Sequence, residues 1–205
     1  MDSYRIPTTT GASEYVDKRS RFLGLVQPVG SEDEARAVIA ACKKQYHDAR
    51  HNCWCYLLRD GTERYSDDGE PQGTGGQPVL EVLRRAGLTD VCVAVTRYFG
   101  GILLGAGGLT RAYANGAALA VAAAERITYR SCADCRIEMA YPRYGLVSRL
   151  LPDYEAQVLA SSFGERVGLT VRLPEEQFEE LRAALTEATA GAVEAEFLQK
   201  IFAAL

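Results

Sequence analysis

The chain has 205 residues, of which 47% are hydrophobic and 24% are charged, with a formal net charge of −4. This composition is typical of a globular protein with one large or two small domains, and it excludes a strongly basic nucleic-acid-binding domain. No apolar run reaches the ~20 residues of a membrane span, and the opening residues MDSYRIPTTT lack a signal-peptide pattern. The sequence therefore predicts a cytoplasmic protein without membrane contact, and it leaves the oligomeric state open.

The charge is distributed unevenly along the chain. Residues 1–130 carry a net charge of +1, and residues 131–205 carry a net charge of −5. A contact with a polyanion must therefore be confined to a local patch, and the acidic C-terminal part is an unfavourable primary surface for nucleic acid.

The first part of the chain mixes strands and helices. One long strand or two short strands are predicted over 12–29, and Ser31 with Glu34 forms a capping box that opens a helix. A strand begins at His51, a helix over 77–88 ends at Gly87, and the apolar run 91–99 predicts a buried strand. An alanine-rich helix is expected over residues 109–126.

The second part has a simpler pattern. Strands are expected over 135–142, 156–163, 167–174 and 192–201, with helices over 144–154 and 174–191. The order β-α-β-β-α-β is that of the ferredoxin-like fold. The sequence thus predicts an α+β protein with two domains, at 1–130 and 131–205.

The stretch 97–116, RYFGGILLGAGGLTRAYANG, joins the predicted buried strand to the alanine-rich helix. A strand, a glycine-rich turn and a helix can cradle an anion, because the backbone N–H groups at the helix start carry positive partial charge. The lysine of the Walker pattern is absent, and Thr110 breaks the dinucleotide pattern. Anion binding, close backbone packing and peptide recognition all remain open. The candidate residues are Arg97, Tyr98, Gly100, Gly101, Gly105, Gly107, Gly108 and Arg111.

A second stretch, YSDDGEPQGTGGQP over 65–78, places three carboxylates, Asp67, Asp68 and Glu70, in a glycine-rich loop. Such carboxylates could bind magnesium or act as acid and base. They could equally build turns and pair with Arg97 or Arg111.

The histidines and cysteines do not predict a metal site. His47 and His51 are four residues apart, but the helix is expected to end between them. Cys132 and Cys135 form a single C-x-x-C pair, whereas a four-cysteine zinc site usually repeats it. The six cysteines are predicted to be reduced thiols, mostly buried, and no metal or cofactor is expected.

A third stretch, DKRSRF, is basic. If it is a strand, Arg19 and Arg21 lie on one face and Lys18 on the other. These residues beside Phe22 could contact nucleic acid, or they could form a solvated sheet edge.

The segments DKRSRFLG, HDARHNC, SDDGEPQGTGGQP and VTRYFGGILLGAGGLTRAY together resemble the Impact family in its bacterial, YigZ-like form. The resemblance implies a first domain like domain 2 of ribosomal protein S5 and a second like domain V of elongation factor G. It also implies a role in translation. Eukaryotic relatives bind an activator of an initiation-factor kinase through a different architecture, so that partner is not carried over.

Three functions follow as hypotheses. The first is a non-catalytic RNA- or ribosome-binding regulator of translation, in which phosphates contact Lys18, Arg21, Arg50, His51, Arg97 and Arg111. The second is an enzyme acting on a phosphate-containing small molecule, with the acidic loop binding magnesium or serving as base. The third is a protein-interaction module. The sequence shows no nucleophile motif of the G-x-S-x-G type, and this favours binding over catalysis.

Overall fold

The computed structural model describes residues 3–205 as an α+β protein that separates into two compact units, Tyr4–Ile127 and Thr128–Leu205. In the first unit the strands are β1 (Tyr4–Pro7), β2 (Gly11–Asp17), β3 (Ser20–Pro28), β4 (His51–Leu57), β5 (Glu63–Ser66) and β6 (Val91–Tyr98). The helices are α1 (Glu32–Gln45), α2 (Gly76–Ala86) and α3 (Ala106–Ala123).

The sheet of the first unit follows the order β2-β3-β6-β4-β5, and all its neighbouring strands are antiparallel. Helices cover both of its faces. Val91, Val93 and Val95 of β6 join the core formed with α2 and α3, whereas Cys92 joins the smaller core under α1. This explains why β6 is an apolar run without alternation, because both sides of the strand are buried.

The predicted ends of α1 and α2 are confirmed. The Ser31 hydroxyl accepts a hydrogen bond from the Glu34 N–H, and the Glu34 carboxylate accepts one from the Gly30 N–H. Gly87 ends α2 in the left-handed conformation, with φ of 62°. Both are local signals that a sequence carries directly.

Helix α3 begins three residues before its predicted start, at Ala106, because Gly105 with φ of 71° breaks the chain direction there. It lies very close to the sheet. A Cβ atom on Gly24 of β3 would lie 2.5 Å from the carbonyl oxygen of Gly116 in α3. The glycines and alanines at this contact therefore serve backbone packing.

Residues 12–29 form two strands rather than one. Lys18 and Arg19 have φ of 44° and 67°, and Asp17 pairs with Ser20. This is a two-residue hairpin turn with both central residues at positive φ. The expectation that Lys18, Arg19 and Arg21 alternate along a strand is therefore wrong for Lys18 and Arg19.

The second unit has the predicted ferredoxin-like order. Its elements are β7 (Arg126–Met139), α4 (Tyr141–Leu150), β8 (Gln157–Phe163), β9 (Val167–Pro174), α5 (Phe178–Thr189) and β10 (Ala195–Ala204). The strands follow the order β10-β7-β9-β8 and are antiparallel. Strand β7 begins nine residues earlier than predicted, and β10 pairs with it from Tyr129 onward. Pro142 lies in the first turn of α4 rather than at a strand end.

None of the helices within residues 3–205 has the length and apolar character needed to cross a bilayer.

Candidate functional site

Three strands bring their side chains together at one end of the first sheet. Phe22 of β3 and His51 of β4 both lie directly opposite Arg97 of β6. Residues directly opposite in neighbouring strands point to the same face. The register therefore aligns an aromatic ring, a guanidinium and an imidazole in one row, on the face that packs against α2 and α3.

Arg97 is the centre of this row, and its side chain is only 8% exposed. Its Nη1 donates to the Glu70 carboxylate at 2.7 Å, and the same carboxylate oxygen accepts from the Tyr113 hydroxyl at 2.9 Å. The guanidinium carbon lies 5.7 Å from the centre of the Phe22 ring and 5.5 Å from that of Phe99. Two ring contacts and an ion pair thus hold the guanidinium in place.

The surroundings of this ion pair keep the neighbouring donors protonated. Burial raises the pKa of the Tyr113 phenol well above its usual range. Burial also raises the pKa of Cys53 to about 12, against a hydrogen bond with Tyr113 that lowers it. At neutral pH Tyr113 is therefore a hydrogen-bond donor to Glu70, and Cys53 is an inert thiol.

Beside Arg97 lies a cavity of about 170 Å³, lined by Arg50, His51, Arg97, Phe99 and Leu103. The Nδ1 atom of His51 lies 2.8 Å from the carbonyl oxygen of Asp68. A carbonyl oxygen only accepts, so Nδ1 carries the hydrogen, and Nε2 is the ring nitrogen that remains for a ligand. The lining contains two arginines and no carboxylate, so it suits an anionic group with an apolar or aromatic neighbour.

The acidic loop serves the fold. Asp67 accepts hydrogen bonds from the backbone N–H groups of Gly73, Gly75 and Gly76 at 2.8, 2.9 and 2.9 Å, which caps the start of α2. Asp68 accepts from the Asn52 N–H at 2.7 Å and pairs with Lys43. With Glu70 bound to Arg97, all three carboxylates have donors from the protein itself.

These contacts weigh against the magnesium and acid–base roles considered for Asp67, Asp68 and Glu70. A metal would have to displace strong hydrogen bonds from protein groups. In the part of the chain that the structure describes, no group of three or more His, Cys, Asp or Glu side chains could hold a metal ion. The pairing of Glu70 with Arg97 agrees with the structural alternative.

The glycine-rich loop leads from β6 into α3. Gly105 is the N-cap residue of α3, and no side chain caps the helix there. A Cβ atom on Gly100 would lie 2.0 Å from the carbonyl carbon of Arg19, so Gly100 is needed for close packing against the β2–β3 turn. Gly101 has φ of 84°, whereas Gly107 and Gly108 lie inside the first turn of α3 and do not have positive φ. Of the three glycines at the start of α3, Gly105 alone has positive φ, of 71°.

Arg97 and Arg111 line two different depressions in the part of the chain that the structure describes. Arg111 is exposed and lines a groove of about 380 Å³ between α2 and α3, together with Gln77, Val82 and Arg85. Arg97 lines the smaller cavity instead. The structure therefore gives no support for two arginines around one anion at Gly105–Gly108, and an anion at this loop stays a prediction.

Three other basic or aromatic candidates also lie elsewhere. Arg21 is paired with Tyr98 across β3 and β6, one register step from the Phe22–Arg97 pair, so both point to the opposite face. Arg21 donates to Glu14 at 2.7 Å, and the Tyr98 hydroxyl donates to Asp48 at 2.7 Å. Lys18 lies in the exposed hairpin turn. Of the predicted residues, the cavity brings together Arg50, His51 and Arg97.

Leu103 and Tyr113 belong to the site and were not predicted. Leu103 is 82% exposed and lines the cavity, and its signal in the sequence is an apolar ILL segment enclosed by glycines. Tyr113 is the one aromatic residue of the alanine- and glycine-rich helix α3. Its contact with Glu70 spans 43 positions, so no local pattern could reveal it.

The cysteines and histidines behave as expected. All six cysteines are free and buried. Helix α1 ends at Gln45 and His51 opens β4, so the two histidines do not share a helix face.

Comparison with known proteins places this architecture among existing families. Residues 18–121 match the Impact N-terminal domain, and residues 137–192 match a domain of unknown function, DUF1949. An IMPACT family member of Haemophilus influenzae is 33% identical over 203 residues, covering 97% of this chain and 98% of its own. The IMPACT family member YigZ of Escherichia coli is 30% identical, covering 95% and 97%.

A solved structure shows the same similarity. It is a crystal structure of a hypothetical protein with a TM-score of 0.60 and 28% sequence identity, covering 97% of this chain and 98% of that chain. The similarity to both the relatives and the structure spans both units.

Proposed function

This chain belongs to the Impact family, and on that premise we propose that it is an RNA-binding protein that acts in translation, as a binder rather than an enzyme. The binding site is the Arg50–His51–Arg97 cavity of the first unit. The translation context comes from the resemblance of the chain to a family with that role, and the RNA contact from the chemistry of the cavity.

The observation that carries the proposal is the environment of Arg97. Its Nη1 is bound to Glu70, but its Nε is buried without a hydrogen-bond partner among residues 3–205. An unpaired buried donor costs about 1–3 kcal/mol, so its presence calls for an explanation such as a ligand. Because the donor belongs to a guanidinium, a phosphate is a well-matched acceptor.

The other lining residues support RNA as the source of the phosphate. Phe99 is 44% exposed beside Arg97, and partly exposed aromatic rings are the surfaces on which unpaired bases stack. Arg50 is exposed and adds a positive charge at the cavity. The near-neutral charge of residues 1–130 limits the contact to a few phosphates, which predicts modest affinity with a shallow salt dependence.

A binding role is also supported by the state of the acidic loop. Asp67 and Glu70 are committed to hydrogen bonds with α2 and with Arg97. Neither is placed as an accessible base, and this weighs against the enzymatic alternative.

The test is a salt titration of binding to a single-stranded RNA of about 12 nucleotides, followed by fluorescence polarisation. Arg50→Gln should weaken binding about five- to tenfold and lower the slope of log K against log salt by about 0.7. Arg64→Gln is the matched control, because Arg64 is an exposed arginine on β5 and its Nη1 donates to the Glu63 carbonyl. Absence of RNA binding at about 50 mM salt, or equal effects of the two variants, would overturn the proposal.

A further inference from the structure

The size of the cavity restricts what can enter it. Pockets that enclose a whole drug-sized ligand measure about 300–1,000 Å³. The cavity beside Arg97 measures about 170 Å³, so it accommodates a chemical group rather than a nucleotide with chain on both sides. An RNA strand can therefore offer it only a part that projects from the strand.

Arg97 cannot move out to meet a strand on the surface. Glu70 holds Nη1, and the rings of Phe22 and Phe99 lie within 6 Å of the guanidinium carbon, at 5.7 and 5.5 Å. With Nη1 bound to Glu70, Nε and Nη2 are the guanidinium donors without a hydrogen-bond partner among residues 3–205, and together they match an acceptor with two oxygens. The acceptor must therefore come to the guanidinium.

We propose, building on the function proposed above, that the cavity recognises the terminal phosphate monoester of an RNA strand. An internal phosphodiester carries a sugar on each side and one negative charge. A terminal monoester carries about −1.5 to −2 charges and three non-bridging oxygens at neutral pH. Only the monoester places a compact charged group at the end of the strand, where it can enter a cavity of this size.

Each lining residue has a role in this arrangement. Arg97 and Arg50 donate to the phosphate oxygens from the inner and the exposed side. The Nε2 atom of His51, an acceptor when Nδ1 carries the hydrogen, accepts from the P–OH of the singly charged monoester, which a phosphodiester lacks. Phe99 and Leu103, which are 44% and 82% exposed, contact the sugar and base of the terminal nucleotide. Leu103, Phe99 and Ile102, which is 42% exposed, are close together along the chain, and a group of exposed apolar side chains can mark a ligand-binding surface.

The experiment compares RNA strands of one sequence that differ only at their ends. The full chain is mixed with strands carrying a 5′-phosphate, a 3′-phosphate or hydroxyl groups at both ends, and binding is measured by polarisation at constant salt. We expect one phosphorylated strand to bind at least tenfold more tightly than the strand with two hydroxyl ends. Arg50→Gln should reduce this ratio to about two or less, whereas Arg64→Gln should leave it unchanged.

Competition distinguishes a strand end from free phosphate. Inorganic phosphate and a nucleoside monophosphate should displace the phosphorylated strand only at concentrations far above that of an unlabelled phosphorylated strand. Equal competition by inorganic phosphate would overturn the proposal, because the site would then be a phosphate site without RNA.

The remaining outcomes separate this proposal from the function on which it rests. Equal binding of all strands, weakened by Arg50→Gln, would overturn end recognition and leave RNA binding intact. Absence of binding by every strand would overturn both.

His51→Asn serves as a second variant, because its amide can keep the bond to the Asp68 carbonyl while Nε2 is lost. It should lower the ratio between the affinities for the phosphorylated strand and the strand with two hydroxyl ends, with the melting temperature unchanged. An unaltered ratio would show that His51 does not belong to the site.

Discussion

At the scale of single residues, Arg97 and Glu70 form the most deeply buried ion pair among residues 3–205. Both side chains are almost fully buried, with exposures of 8% and 3%. Removing one partner of a buried ion pair costs about 3–5 kcal/mol, because the other charge is left without compensation. The pair therefore supports the fold and also positions the guanidinium for its proposed ligand.

We predict that Glu70→Gln lowers the free energy of unfolding by about 3 kcal/mol. The glutamine keeps the shape of the side chain but leaves the Arg97 charge unpaired. Glu63→Gln is the control, because Glu63 pairs with Arg84 at the exposed surface and should cost less than about 1 kcal/mol. Urea unfolding of both variants measures the difference, and similar losses would show that the Arg97 pair is effectively solvated.

Among the elements, helix α2 depends on a carboxylate outside its own sequence. Its N-cap, Gly75, has no side chain to accept the first backbone N–H groups. Asp67 takes that role from nine positions before the helix begins, accepting from Gly73, Gly75 and Gly76. The start of α2 and the shape of the acidic loop are therefore one structural unit.

We expect Asp67→Ala to destabilise the protein by about 2 kcal/mol, since three backbone donors lose their acceptor. Asp33→Ala is the matched control, because Asp33 lies in the first turn of α1 and makes only an exposed ion pair with Arg36. Thermal melting with and without magnesium completes the test. A rise in melting temperature with magnesium that Asp67→Ala abolishes would instead indicate a metal site in the loop.

For the whole molecule, the hydrophobic cores are separate. The residues of Tyr4–Ile127 form the cores on both faces of the first sheet, and those of Thr128–Leu205 form another.

The second unit also contains Asp134, which accepts from Arg172 at 2.7 and 2.9 Å and from Gln199 at 2.9 Å. The hydrogen bonds from Arg172, with help from Gln199, lower the pKa of Asp134, whereas burial opposes them.

This lowered pKa has a defined effect on stability. The ionised carboxylate is favoured in the folded state, so Asp134 contributes stability above its unfolded pKa of about 3.9. That contribution is lost as the pH falls from about 3.9 through the folded pKa.

We predict two calorimetric transitions at neutral pH, with Asp134→Asn lowering only that of the second unit. Asp67→Ala should lower only the transition of the first unit, which contains Asp67. The difference between Asp134→Asn and the parent chain should shrink as the pH is lowered below about 3.9. A single transition shifted equally by both variants would show that the two cores unfold together.

The elements that the sequence predicts well are those determined by neighbours along the chain. The Ser31–Glu34 box, the end of α2 at Gly87 and the β-α-β-β-α-β order all depend on contacts or periodicities within a few residues. Two strands over 12–29 were one of the predicted alternatives, but the position of the β2–β3 turn was missed. Lys18 and Arg19 adopt positive φ without the glycine or asparagine that usually marks such a turn.

The sequence by itself determined the family, the α+β class and three of the residues around the cavity. Only the tertiary structure decided which candidates meet. Strand register sends Arg21 and Tyr98 to one face and Arg97 to the other, because neighbouring side chains of a strand point in opposite directions. Glu70 reaches Arg97 over 27 positions and Tyr113 over 43. Contacts at such separations form only when the sheet and α3 pack, and no local pattern encodes them.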